Sequence, residues 1–213
     1  MTAESHALTT AGHGAVGGHE SRGGISNPIL GMILFITSEV MFFAGLFGAY
    51  FSTRAAHTPW PPTEFEHTLA VNFEKGIPII LVATAILILS SVTCQLAVNA
   101  IRREDRRGFT RNIAVTFVLG VVFLLMQAYD YSLLFGEGLT MDSGPFGTTY
   151  FTLTGFHGAH VFGGVIMLGV VLYRAGAGQF SSRHHDAVEA ASLYWHFVDV
   201  VWIILFSVLY LLP

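Results

Sequence analysis

Five long runs of apolar residues dominate the sequence, and short polar connections separate them. Each run reaches the about 20 residues that an α-helix needs to cross a lipid bilayer. In lipid the backbone has to satisfy its own hydrogen bonds, so the runs predict helices. The sequence therefore predicts an all-α, polytopic membrane protein built as a bundle of five transmembrane helices. The runs lie at residues 29–51, 77–101, 113–135, 149–173 and 187–212.

The composition agrees with a membrane protein. Of the 213 residues, 53% are hydrophobic and 11% are charged, whereas a soluble domain carries about 25% charged residues. The net charge of -4 arises from a few loops, and no nucleic acid is expected as a partner. Cys94 is the only cysteine and lies in an apolar run, so neither an internal disulfide nor a reactive thiol is expected.

The basic residues predict the orientation of the helices. Lys and Arg are enriched in cytoplasmic loops, and the connection between the second and third runs holds Arg102, Arg103, Arg106, Arg107 and Arg111. With that loop inside, Arg22, Arg174 and Arg183 are inside too, and only Arg54 and Lys75 are outside. The N-terminus is therefore predicted to be cytoplasmic and the C-terminus to lie outside.

The sequence divides into a tail and a membrane domain. Residues 1–27 are rich in Gly and contain His6, His13 and His19, which predicts a disordered cytoplasmic tail. Loose metal binding by the three histidines is one interpretation, and a solvated tail without a role is favoured. Residues 28–213 form the predicted five-helix domain.

Glu39 lies near the centre of the first apolar run. A carboxyl group at that depth costs about 2.5–3.5 kcal/mol on insertion scales, so it needs a polar partner or has to carry its proton. One interpretation is a neutral acid that ties two helices together. The other is a proton-handling group, and the position alone favours neither.

Further polar residues interrupt the third and fourth helices. Gln127 and Asp130 are three residues apart and share a face; a hydrated acid near the membrane surface is slightly favoured for Asp130. His157 and His160 have the same spacing and could ligate a metal or haem, but neutral histidines that hydrogen bond between helices are favoured. Gly155, Ala159 and Gly163 form a stripe of small residues where another helix could approach closely.

The fifth helix carries a row of polar residues on one face, namely Glu189, Ser192, His196 and Asp199. Such a row cannot face lipid, so it is expected to meet protein, water or a headgroup, and His196 could pair with Asp199. Just before this helix, Arg183, His184 and His185 form a basic cluster that suits an anionic lipid headgroup. A hydrated loop is nearly as well supported.

Three hypotheses follow from these residues. The first is a metal- or haem-binding membrane enzyme, but no carboxylate–histidine helix motif of a di-metal bundle is present. The second is a transporter, which the lack of an internal repeat disfavours. The third is a structural and proton-handling subunit of a larger complex. The candidate ligands of a metal or haem under the first hypothesis are Glu39, His157, His160, His196 and Asp199.

Three motifs decide among these hypotheses: TSEVMFF at 37–43, TGFHGAHV at 154–161 and YWHFVDVVW at 194–202. They closely resemble subunit III of haem–copper cytochrome c oxidases, as do Trp60 with the two following prolines, the pair Gln127 and Asp130, and FGTTY at 146–150. The resemblance covers residues 31–213. The mitochondrial form has seven helices, and this chain matches the last five, as in the short bacterial form.

The resemblance implies a non-catalytic subunit of a proton-pumping, aa3-type oxidase in a bacterial plasma membrane. Haem a and copper would lie in partner subunits, so this chain is expected to bind no metal and no cofactor except structural phospholipid. Its expected partners are subunits I and II, phospholipids and a cytochrome bc-type reductase in a supercomplex. The alternatives are subunit III of a quinol oxidase, which usually carries Asp in place of Glu39, and a metal- or haem-binding enzyme.

The resemblance also implies roles for single residues. Glu39 corresponds to the carbodiimide-reactive carboxyl of the family, which requires a protonated acid in an apolar site. His157, His160, His196 and Asp199 match family positions in the last two helices. His184, His185 and Glu189 match a segment near a lipid site. Glu39 is expected to bond to a polar group on a neighbouring helix, with His196 as the candidate partner.

Overall fold

The computed structural model describes residues 26–63, 78–182 and 185–212. These ranges contain five long helices, all of them long and apolar enough to cross a membrane. The prediction of an all-α protein with five membrane helices is confirmed. The helices are α1 Asn27–Ala56, α2 Ile79–Arg102, α3 Arg106–Gly136, α4 Gly144–Gly176 and α5 Asp186–Phe206, which continues into a π-helical turn Ser207–Leu211.

Two expectations concern residues outside the described ranges. The predicted disordered tail falls almost entirely on residues 1–25, and the basic cluster includes Arg183 and His184. Within the described part, α1 begins at Asn27, at the end of the predicted tail, with Pro28 in its first turn. Proline is favoured there because the first helical N–H groups have no partner within the helix.

The third helix begins earlier than its apolar run. The run starts at residue 113, but α3 starts at Arg106, inside the basic connection. The reason is a helix cap: the side chain of Asp105 accepts a hydrogen bond from the backbone N–H of Gly108 at 2.9 Å. Arg106, Arg107 and Arg111 therefore project from the first two turns of α3.

The last helix is the centre of the bundle. Helix α5 packs against α1, α2 and α4, and most of its residues are buried. Helix α1 is peripheral, because it contacts mainly α4 and α5 and buries only Phe43 and Tyr50. A large apolar surface of α1 therefore faces outward from the chain.

Two tryptophans of α5 fill the core. The indole N–H of Trp195 donates to Ser90 and that of Trp202 donates to Thr84, both over 3.0 Å and both on α2. Trp195 also lies against Gly120 of α3 and Gly164 of α4. A Cβ atom at Gly120 or Gly164 would lie 2.7 or 2.8 Å from the indole carbons, so only glycine fits there.

The predicted stripe of small residues on α4 is not the close-packed surface. The nearest atom to a Cβ at Gly155 would be the Tyr131 hydroxyl at 3.9 Å, and at Gly163 the Tyr194 hydroxyl at 3.5 Å. Ala159 is exposed. The close approach uses Gly164 because the indole ring of Trp195 on the neighbouring helix lies against it.

Candidate functional site

Glu39 bonds to a histidine on another helix. Its Oε2 atom lies 2.9 Å from Nε2 of His160 on α4, and both side chains are mostly buried. Thr37 and Ser38, which precede Glu39, bond to carbonyl groups of their own helix, at Ile33 and Phe35. His160 is therefore the hydrogen-bond partner that the described residues give to this acid.

The hydrogen bond of the other ring nitrogen, Nδ1, shows that this nitrogen of His160 carries a hydrogen. Nδ1 is 2.7 Å from the backbone carbonyl of Phe156, and a carbonyl can only accept, so Nδ1 carries a hydrogen. The Nε2···Oε2 contact then holds one proton, either on a neutral acid or on an imidazolium ring. In both cases the pair has no net charge, which lowers the cost of burying it in lipid.

Aromatic rings and a third helix surround this pair. Phe42 stacks on the His160 ring with centroids 6.1 Å apart, and Phe43 meets it edge-on at 5.0 Å. The hydroxyl of Tyr194 on α5 donates to the backbone carbonyl of His160 over 2.9 Å. The Glu39–His160 pair therefore joins α1 to α4 beside α5.

The expectation that His196 is the partner of Glu39 is wrong. His196 bonds instead to α2, with Nδ1 2.7 Å from Ser91 Oγ and Nε2 3.3 Å from Gln95 Oε1. Successive residues of an α-helix are about 100° apart, so His196 lies about 200° from Tyr194, which faces His160. The two side chains therefore point to opposite sides of α5.

His196 and Asp199 do not pair with each other either. Asp199 is buried, with 5% of its surface exposed. Among the described residues neither of its carboxyl oxygens has a hydrogen-bond partner. Ser91 lies beside the carboxyl, but its hydroxyl bonds to His196. The predicted pairing one turn apart fails because His196 is already occupied by α2.

A row of polar side chains runs along the contact between α2 and α5. At one end Glu189 accepts from Arg102 over 2.6 Å and lies 3.1 Å from His185. Further along, Asn99 bonds to Gln95, and Gln95 bonds to His196. The α2 half of this row was not predicted from the sequence, although Gln95 and Asn99 are four residues apart in an apolar run. The row comprises His185, Arg102, Glu189, Asn99, Gln95, His196 and Ser91.

Gln127 and Tyr131 of α3 bond to α4, whereas Asp130 lies beside a gap between α2, α3 and α5. The Gln127 amide donates to the backbone carbonyl of Thr154 over 3.1 Å, and Tyr131 bonds to the Thr154 hydroxyl at 2.6 Å. Asp130 is partly buried and, with Gln127, lines a narrow gap beside Trp202. Asp130 is thus turned toward the bundle rather than freely exposed.

His157 has a different environment from His160. Its ring is fully buried, lies stacked on Trp202 at 5.0 Å and meets Phe123 edge-on. Neither ring nitrogen has a hydrogen-bond partner in the described ranges. The expected interhelical hydrogen bond is therefore present at His160 and not at His157.

The candidate metal ligands do not converge. Glu39 and His160 meet between α1 and α4, His196 lies between α2 and α5, and His157 points into the core. Within the described part of the chain, no group of three or more His, Cys, Asp or Glu residues could hold a metal ion. The polar groups instead connect neighbouring helices.

Fold and site together define a polytopic helical membrane protein whose intramembrane polar side chains bond helix to helix. Residues 12–212 match the family model described as cytochrome c oxidase subunit III. The chain belongs to this family, whose members are subunits of a multisubunit oxidase, and the resemblance predicted from the sequence motifs is confirmed.

Curated relatives agree with the family match. A probable cytochrome c oxidase subunit 3 of Mycobacterium tuberculosis H37Rv is 44% identical over 182 residues, which cover 85% of this chain and 86% of that protein. Cytochrome c oxidase subunit 3 of Corynebacterium diphtheriae is 44% identical over 184 residues, with the same coverage. The rabbit protein, from Oryctolagus cuniculus, is 40% identical over 185 residues, which cover 84% of this chain and 67% of that protein.

Proposed function

We propose that this chain is a non-catalytic subunit III of a proton-pumping, aa3-type cytochrome c oxidase in a bacterial plasma membrane. The complex reduces oxygen to water, and its haem a and copper lie in partner subunits. The observation that carries the proposal is the family match over residues 12–212. The interhelical hydrogen bonds of His160 to Glu39 and of His196 to Ser91 support a role as contacts between helices.

The Glu39–His160 pair is proposed as the proton-handling element. One proton lies between Oε2 and Nε2, and it can move between them without a change in the net charge of the pair. The aromatic rings of Phe42 and Phe43 cover part of the pair by their contacts with the His160 ring. The pair can hold a proton or pass it to subunit I, which carries out the pumping.

Subunits I and II are the proposed partners, together with phospholipid and a cytochrome bc-type reductase. Arg183, His184 and His185 are proposed to bind a lipid headgroup. The first two lie outside the described residues, and His185 lies against Glu189. Arg183→Ala combined with His184→Ala should therefore reduce the phospholipid that copurifies with the complex, as measured by mass spectrometry.

The direct test is purification of the tagged chain from its own membrane in mild detergent. We expect two larger companion subunits to copurify and the haem absorption to leave with them when they are stripped off. A haem or transition metal retained by the chain alone would refute the proposal. Purification without any companion chain would refute it as well.

The electron donor separates this proposal from a quinol-oxidase subunit. Relatives named cytochrome c oxidase subunit 3 support cytochrome c. The purified complex should oxidise reduced cytochrome c, and quinol should not support oxygen consumption. The opposite result would assign the chain to a quinol oxidase.

A further inference from the structure

An open groove lies between the start of α3 and the end of α4. Its volume is about 590 Å³, within the range of about 300–1,000 Å³ that is typical of small-molecule sites. Its polar wall is formed by Arg106, Arg107 and Arg111 with Thr110, and its apolar wall by Ala114, Ala175 and Gly176. Three positive charges thus meet a strip of small residues.

The three arginines of this groove have no partner in the described part of the chain. Other arginines nearby do: Arg102 pairs with Glu189, and Arg174 bonds to Gln179 and lies over the Phe180 ring. The nearby acids are occupied as well. Asp105 caps α3, and Glu104 accepts a hydrogen bond from Ser182. In the described part of the chain neither acid forms an ion pair with a groove arginine, so the three guanidinium charges are not paired there.

The groove continues into an exposed apolar surface of α3 and α4. Arg111, Ala114 and Val118 lie three and four residues apart, so they share one side of α3. Val118 is exposed, as is Val170 on α4. A molecule with its charge at the arginines can therefore extend an apolar chain along α3 toward the middle of the membrane.

We propose that this groove binds an anionic phospholipid, with its phosphate on the three arginines and an acyl chain along Ala114 and Val118. Guanidinium groups bind phosphate through two parallel hydrogen bonds, and basic pockets between membrane helices suit such headgroups. None of the groove residues belongs to the Arg183–His185 cluster, and His185 lies with Arg102 and Glu189 between α2 and α5. This phospholipid site in the groove goes beyond the proposed function.

The test measures binding of phosphatidylglycerol to the purified, delipidated complex by native mass spectrometry, with phosphatidylcholine and inorganic phosphate as comparison probes. Arg107→Gln with Arg111→Gln should weaken phosphatidylglycerol binding about 30-fold, from the usual effect of two basic residues near an anionic lipid. Arg107→Lys with Arg111→Lys keeps the charge and should weaken phosphatidylglycerol binding much less. Arg103→Gln, in the same connection but outside the groove, should have no effect.

A second variant distinguishes a lipid from a free anion. Ala114→Phe fills the apolar wall and leaves every charge in place, so it should also weaken phosphatidylglycerol binding. The proposal is overturned if the two glutamine substitutions leave binding unchanged, or if Arg103→Gln weakens it equally. It is also overturned if inorganic phosphate competes fully and Ala114→Phe has no effect. None of these readouts depends on oxidase turnover, so failure here would not refute the proposed function.

Discussion

The single proton between Glu39 and His160 follows from the second hydrogen bond of the histidine. Because Nδ1 donates to the Phe156 carbonyl, the imidazole can accept at Nε2 only if the acid donates. A donor other than a carboxylic acid could then take the place of Glu39. The amide group of glutamine is such a donor.

Glu39→Gln should therefore keep the bond to His160 while removing the reactive carboxyl. We expect the oxidase to assemble and its turnover to remain nearly intact, and carbodiimide labelling of this chain to disappear. Labelling is measured by mass spectrometry and turnover by oxygen consumption. Glu189→Gln, which removes a carboxyl bonded to Arg102, is the matched control and should keep the labelling.

Failure of the Glu39→Gln complex to assemble would contradict this interpretation. The acid would then be an obligatory tie between α1 and α4, and its proton-handling role would lose its support. Glu39→Ala helps to separate the two cases, because alanine cannot donate to Nε2 at all. If both variants assemble equally well, the hydrogen bond contributes little to the packing of α1.

The sequence predicts some contacts of single residues and not others. That Glu39 needs a polar partner follows from its depth in an apolar run. Which partner it has depends on which helices flank α5, and one sequence does not contain that information. The spacing of Tyr194 and His196 shows that they point to opposite sides, but not that α4 lies on one side and α2 on the other.

At the scale of helices, the contact around Trp195 is the most sensitive packing feature. A Cβ at Gly164 would lie 2.8 Å from two indole carbons, whereas a Cβ at Gly155 would have its nearest neighbour at 3.9 Å. Both glycines lie within α4. The two positions therefore form a matched pair for substitution by alanine.

Gly164→Ala should destabilise the protein by about 1–3 kcal/mol, the usual effect of overpacking a core. Gly155→Ala should be neutral or stabilising, because alanine favours the helix by about 1 kcal/mol relative to glycine and no clash opposes it. The free energy of unfolding in a detergent titration measures both changes. Equal effects of the two substitutions would show that Trp195 moves aside without cost.

Hydropathy locates the five helices, but it does not locate their ends or their contacts. The start of α3 depends on the cap formed by Asp105, which lies in a charged connection that hydropathy treats as a loop. The stripe Gly155, Ala159 and Gly163 has the spacing of a close contact, yet the contact is made at Gly164. The spacing of small residues on one helix does not reveal the large residue on the next.

At the scale of the whole molecule, the motif at 194–202 is specific because it builds the centre of the bundle. Tyr194 bonds to α4, and Trp195, His196 and Trp202 bond to α2. A change at any of these positions affects a contact between two helices. The sequence could identify the family from this motif without predicting its contacts.

The orientation of the bundle remains a prediction, and the buried cysteine makes it testable. Cys94 is 1% exposed, so a membrane-impermeant maleimide should not react with it in the folded protein. Asp142→Cys lies in the connection between α3 and α4, and Arg103→Cys in the connection between α2 and α3; both positions are exposed. In intact cells we expect labelling at position 142 and not at 103.

Permeabilised cells supply the control for this experiment, since both cysteines should then be labelled equally. Labelling of position 103 in intact cells would invert the predicted orientation. The phospholipid groove would then open to the outer leaflet. Labelling of the unsubstituted protein would show that Cys94 is accessible. The two cysteine variants would then have to be made in a protein in which Cys94 is replaced.

The peripheral position of α1 has a consequence for biosynthesis. Helix α1 is translated before its partners α4 and α5, and His160 lies 121 residues after Glu39. The nascent chain therefore inserts Glu39 through the translocon before its histidine exists. During that interval the surrounding membrane, or an insertion chaperone, has to accommodate the first helix without its later neighbours.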